Sequence, residues 1–185
     1  KMKFFQRQKI VGPDQFVART EWALKDEDVG GHAAPVGVDL NGDGHQDLVV
    51  GTHDSGLKYF ERKKTIGTGG VEYAARVDLK DKNGGVIKGR ANPRPGDIAQ
   101  HNRPAFLDVD QDNDYDLVLG TCFDGLWYYE NHGVSTTTPN LVRQPSWALD
   151  QARKNSAFES GFDPYCWAAT GQFGGDTLLD IIIED

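Results

Sequence analysis

The sequence predicts an all-β protein assembled from repeated, blade-like units. Three observations carry that reading. A block of 30 residues recurs 69 positions further on with 13 identities and no gap. Each copy holds short β-branched and aromatic runs bounded by glycine and turn residues, the pattern of strands joined by tight connections. Only residues 150–160, "DQARKNSAFES", read as mildly helical.

The elements follow in chain order. Residues 1–31 read as the end of one blade plus a connection, because "KFFQRQ" (Lys3 to Gln8) resembles the strand endings "KYFERK" (Lys58 to Lys63) and "WYYENH" (Trp127 to His132). Residues 32–100 form repeat 1. In it "DLVVG" is a strand ended by glycine, "HDSG" a turn and "LKYF" the return strand. "VEYAARVDLKDKNGGVIKG" then reads as a further hairpin around an Asn-Gly-Gly turn. Residues 101–164 are repeat 2, with "DLVLG", "CFDG" and "LWYY" in the same places. Residues 165–185 open a third, degenerate repeat, "GQFGGDTLLDIIIED". Short strands recurring at this period suggest blades stacked around an axis. The phase suggests that N-terminal "MKFFQRQ" completes the sheet begun by C-terminal "DIIIED", within one ring or between copies. Open edges would otherwise invite aggregation.

Each complete repeat carries an acidic turn immediately before its central strand. In the first, oxygen-bearing side chains fall at loop positions 1, 3, 5 and 9: Asp39, Asn41, Asp43 and Asp47. Gly44 at position 6 permits a sharp turn, and the carbonyl of His45 stands at position 7. The second loop repeats the order with Asp108, Asp110, Asp112, the Asp114 carbonyl and Asp116, and Asn113 holds the turn position. Asn tolerates left-handed φ better than most side chains. Alternating oxygens around a turn are how a chain holds Ca²⁺, which takes 6–8 oxygen ligands. Like charges ~4 Å apart cost on the order of 1 kcal/mol per pair in water and about 4 at an effective dielectric of 20. Such a loop binds a cation, holds protons or splays. It is not an EF-hand: position 12 is Val50 or Leu119, inside an apolar strand, where that motif needs a bidentate Glu.

The pattern Asp-x-Asn/Asp-x-Asp-Gly/Asn-x-x-Asp followed by Leu-Val-Val-Gly resembles the FG-GAP repeats of integrin-type β-propellers and the similar VCBS repeats. The ending "YYENHG" (Tyr128 to Gly133) looks like the VCBS strand ending. The resemblance covers most of the chain. It implies β-propeller blades, present here as a partial or incomplete propeller, with a loop Ca²⁺ acting structurally between strands. It carries Asp39, Asn41, Asp43 and Asp47, and Asp108, Asp110, Asp112 and Asp116, into ligand roles. Two Ca²⁺ sites are expected. The third loop retains Asp176 and Asp180, but Gln172, Gly174 and Thr177 depart from the pattern, and weak or no binding is expected there.

Composition narrows the function. The formal net charge of −8 equals the −3 of Asp39, Asp43 and Asp47 plus the −5 of Asp108, Asp110, Asp112, Asp114 and Asp116, so the rest of the chain balances. No basic stripe suggests nucleic acid, and no apolar run approaches the ~18 residues of a membrane span. Cys122 and Cys166 are too few for a disulfide scaffold and read as buried thiols, with pairing the alternative. His32 and His101 recur before each loop and read as packing or hydrogen-bonding elements, with catalysis or a second metal as the alternative. Trp22, Trp127, Trp147 and Trp167 read as filling between sheets, with a sugar-stacking platform as the alternative. The basic clusters Arg62-Lys63-Lys64 and Arg90 to Arg94 read as solvated loops, with a partner contact as the alternative. No nucleophile–base–acid set, phosphate loop or dinucleotide fingerprint is present, so no catalytic residue is assigned and the chain leans away from being an enzyme. The leading expectation is a calcium-stabilised binding or scaffolding module for a protein or glycan partner, including an accessory subunit of a larger assembly. Other blades or subunits would complete the ring. The alternative is part of a carbohydrate-active enzyme, polysaccharide lyase-like, or a lectin on the same propeller. Ca²⁺ sites of this kind point to an extracellular or organelle-lumenal location.

Overall fold

The computed structural model describes residues 2–8, 15–19, 24, 26–53, 55–63, 71–89, 101–121, 125–134, 139–146, 167–171 and 180–184. The described residues form fourteen strands in five antiparallel sheets and no helix. Two four-stranded sheets dominate. The first orders β3 (Ala34–Val38), β4 (Asp47–Gly51), β5 (Leu57–Phe60) and β8 (Val77–Asp78). The second orders β9 (Arg103–Leu107), β10 (Asp116–Thr121), β11 (Gly125–Val134) and β12 (Pro139–Arg143). Strands β3 and β9 begin and end 69 residues apart, and β4 and β10 start at the same offset, so the repeat in sequence is a repeat in structure.

Smaller hairpins accompany them. β1 (Phe4–Gln8) pairs with β2 (Gln15–Arg19), β6 (Arg62–Lys63) with β7 (Glu72–Tyr73), and β13 (Trp167–Gly171) with β14 (Asp180–Glu184). The expected Asn-Gly-Gly turn is present: Lys80 bridges Val86, Gly84 has φ 81°, and Asp81 Oδ1 accepts the Asn83 and Gly85 amides at 2.9 Å each. The N-terminal strand does not complete the C-terminal sheet within the chain. Each terminal strand pairs with its sequence neighbour, β1 with β2 and β14 with β13. Short loops close at lower entropic cost than a pairing spanning the chain. The helical reading of residues 150–160 and the pairing of Cys122 with Cys166 fall outside the described residues, as do Trp22, Trp147, Lys64 and Arg90 to Arg94.

Side chains alternate between faces with the period of two that a strand imposes. On the first sheet Val49, Leu57 and Tyr59 join Phe106, Leu117, Leu119, Tyr129 and Leu141 of the second in one core. The opposite face uses Leu48, Val50 and Phe60, packed with Met2, Leu24, Val29 and Tyr73. On the second sheet the face away from this shared core gathers Val118, Leu126 and Tyr128 with Leu107 and Val109. Val118, Leu126 and Tyr128 are the repeat counterparts of Val49, Leu57 and Tyr59. Equivalent positions therefore face the same way in successive sheets, and the sheets stack face to face in chain order. Trp127 packs half-buried against the shared core under the Arg143 guanidinium, 3.9 Å from its ring centroid. That agrees with a filling role.

The sheets approach to backbone contact at Gly51. A Cβ there would lie 1.8 Å from the Asn102 carbonyl oxygen, a separation no side chain survives. Asn102, 1% exposed, ties the contact: its amide and Nδ2 both donate to the Thr52 carbonyl, at 3.2 and 2.8 Å, and its Oδ1 accepts from Gly89 N at 2.6 Å.

Candidate metal centres

Both acidic loops connect the first two strands of their sheet, β3 to β4 and β9 to β10, and lie at the same sheet end. The chain turns sharply because its own carboxylates cap its amides. In the first loop Asp43 N donates to Asp39 Oδ1 and Asn41 Oδ1, both at 3.1 Å, Gly44 N to Asp39 Oδ2 at 2.8 Å, and His45 N to Asp43 Oδ1 at 2.8 Å. The second loop copies this bond for bond. Asp112 N donates to Asp108 Oδ1 at 3.1 Å and Asp110 Oδ1 at 3.3 Å, Asn113 N to Asp108 Oδ2 at 3.0 Å, and Asp114 N to Asp112 Oδ1 at 2.9 Å.

The loop geometry needs left-handed residues, and the two loops meet that need differently. Gly42 and Gly44 have φ 69° and 83° in the first, whereas Gln111 and Asn113 have φ 64° and 76° in the second. Glycine adopts this region freely, and a side chain pays strain there.

The last acidic residue of each loop is a buried anchor. Asp47 and Asp116 are 1% and 0% exposed. Asp47 Oδ2 accepts from the Tyr59 hydroxyl at 2.7 Å and Leu40 N at 3.3 Å, and Oδ1 accepts from Arg62 N at 2.8 Å. Asp116 Oδ2 accepts from Val109 N at 2.9 Å and the Tyr128 hydroxyl at 3.0 Å, and Oδ1 accepts from Asn131 N at 2.7 Å. Burial raises both carboxyls, and these donors pull the other way by stabilising the charged form. Burial first and the neighbouring carboxylate second or close behind raise Tyr59 and Tyr128, so both phenols stay protonated donors.

Sequence reasoning missed these tyrosines and the amides of Arg62 and Asn131 as part of the loop machinery. The signal was present: Tyr59 and Tyr128 are repeat identities twelve residues after the anchor Asp. A strand plus a tight turn returns that position beside the carboxylate.

The donor set suits a hard cation. Asp108, Asp110 and Asp116 each bring a carboxylate oxygen within 4.8 Å of the others. Asp114, partly desolvated and facing Asp112, Asp108 and Asp110, is raised above the ordinary carboxylate range. Asp39 and Asn41 converge on one amide in the first loop, with Asp43 beside them. Only oxygen ligands are present, as Ca²⁺ prefers. Of the third loop, Asp180 begins β14, and Asp176 lies outside the described residues.

Among the described residues no helix is long and apolar enough to cross a membrane. No curated protein and no solved structure matches the chain. Residues 30–70, which hold the first acidic loop and strands β3 to β6, match the family model of the FG-GAP repeat, so the chain carries an FG-GAP repeat over that segment.

Proposed function

We propose that the chain is a calcium-stabilised run of β-propeller blades that serves as a binding or scaffolding module for a protein or glycan partner outside the cytosol. The observation that carries this reading is the face-to-face stacking of two four-stranded sheets, each closed at the same end by an identically bonded acidic loop. Stacked antiparallel sheets in repeat register are how propellers are built. Asp39, Asn41, Asp43 and Asp47 would hold one Ca²⁺, and Asp108, Asp110, Asp112 and Asp116 the other. The carbonyls of His45 and Asp114 would contribute the backbone ligand. The ion would offset carboxylate repulsion and lock the turn onto the strand that follows. Phe4, Phe5 and Phe16 of the β1–β2 hairpin are 41%, 53% and 70% exposed, apolar surface that a further blade or subunit would cover.

Thermal unfolding in millimolar Ca²⁺, in EGTA, and with Asp43→Ala plus Asp112→Ala tests the metal. A site occupied at 100 times its dissociation constant adds about 2.7 kcal/mol. The reading predicts a Ca²⁺-dependent rise in Tm that the double variant loses. A transition indifferent to Ca²⁺ would overturn it. A glycan array and a pull-down with the Ca²⁺-loaded chain then separate glycan from protein partners.

A further inference from the structure

Three histidines meet at the sheet end opposite the first acidic loop. His32 precedes β3, His53 follows β4, and His101 precedes β9, so two come from the first repeat and one from the second. The five-residue strands between put them roughly 17 Å from the acidic loop, at about 3.3 Å per residue. His32 and His53 stack with centroids 5.1 Å apart and planes at 23°. His101 stands edge-on to both, at 4.5 and 4.9 Å. One ring nitrogen of each lies within 4.8 Å of the other two.

We infer that this cluster is a binding site for a divalent transition-metal ion of the zinc type, distinct in place and chemistry from the acidic loops. Three points at the corners of a triangle of side 4.8 Å lie about 2.8 Å from its centre. A Zn–N bond is about 2.0–2.1 Å, so an inward shift of under roughly 1 Å per imidazole completes three bonds. Imidazole suits zinc, copper and nickel, whereas Ca²⁺ takes oxygen. His101 is 5% exposed, His53 half-buried and His32 exposed, so the site is anchored on one side and open on the other, leaving a coordination position for water or a ligand.

The backbone around the cluster is fixed independently of any ion. His53 N donates to the Gly31 carbonyl at 3.3 Å, and the bonds from Asn102 to Thr52 hold His101 beside His53. Gly51 allows that approach. His32 sits at φ 53°, a left-handed conformation uncommon for a residue with a side chain. The repeat adds a separate observation. The counterpart of His32 is His101 and the counterpart of His53 is Cys122, so the second repeat also places two metal-ligand residue types at these positions.

The test is zinc and cobalt binding by the full chain, stripped of metal and then saturated with Ca²⁺. One equivalent of Zn²⁺ is expected by calorimetry, and Co²⁺ should give visible ligand-field absorption that Zn²⁺ displaces. His53→Ala and His32→Asn should each weaken Zn²⁺ by at least about 100-fold, the upper end of what losing even an outer-shell partner costs. Asn is chosen at position 32 because it tolerates the left-handed backbone. Asp43→Ala and Asp112→Ala should leave Zn²⁺ binding unchanged. Nitrogen-15 shifts of three imidazoles on adding Zn²⁺ to the unmutated chain give a readout that needs no variant. Unmoved imidazoles, no zinc uptake, or uptake lost in the Asp variants and kept in the His variants would each overturn the site.

Discussion

The two acidic loops share every backbone bond and differ in what their side chains cost. The first carries three carboxylates and turns on Gly42 and Gly44. The second carries five carboxylates and turns on Gln111 and Asn113. The shared geometry comes from Asp side chains capping amides and from a buried Asp hub, features present in both. Glycine is therefore not what shapes the turn; it only removes strain from it. The second loop stores both more charge repulsion and more backbone strain, and it has more to gain from a cation.

The largest effect should be common to both loops. Asp47→Ala and Asp116→Ala each strand one buried amide, one half-buried amide and a buried tyrosine hydroxyl, at about 1–3 kcal/mol per orphaned buried donor. Each should lower stability by about 3 kcal/mol or more in chemical denaturation, and by similar amounts. A large inequality would break the equivalence of the two hubs.

Calcium should separate the loops. Affinity in oxygen sites rises with ligand charge, so the second loop should fill first in a titration. Asp112→Ala should abolish the tighter of two binding events and Asp43→Ala the weaker. The stability gain, about 2.7 kcal/mol per site at 100 times its dissociation constant, should fall stepwise, and the Tm with it. Equal affinities would show that charge count does not set the difference.

A third contrast lies in the strands that return from the loops. Phe60 of the first sheet has Tyr129 as its counterpart, buried between the sheets. Burial pushes the Tyr129 phenol up to about 12, with Arg143 opposing. Its folded pKa is thus above the unfolded value near 10, so its contribution is intact below pH 10 and is lost as pH rises toward 12. A rise of that size corresponds to roughly 3 kcal/mol. Alkaline unfolding followed by circular dichroism should show this loss, and Tyr129→Phe should remove that part of it.

The smallest effects concern the turn residues. Gly44→Ala, at φ 83°, should cost about 1–2 kcal/mol. Asn113→Gly should change stability by less than about 1 kcal/mol, relief of strain being offset by the entropy of glycine. A large gain from Asn113→Gly would mean that the second loop is more strained than its hydrogen bonds imply.

What the sequence determined by itself was local and repeated. Alternating oxygens at loop positions 1, 3, 5 and 9 marked the turns, and the apolar runs after Asp47 and Asp116 marked the central strands. The 69-residue offset fixed which residues are equivalent. These features are legible because they depend on neighbours within a dozen residues. The tertiary structure decided what the local pattern leaves open: that Val49 and Leu119 meet in one core, and that β1 and β14 each pair with a sequence neighbour rather than with one another. It also decided that His53, unremarkable in sequence, joins His32 and His101. That meeting exists because Gly51 lets two sheets approach to backbone contact, and no spacing along one chain encodes a distance between two.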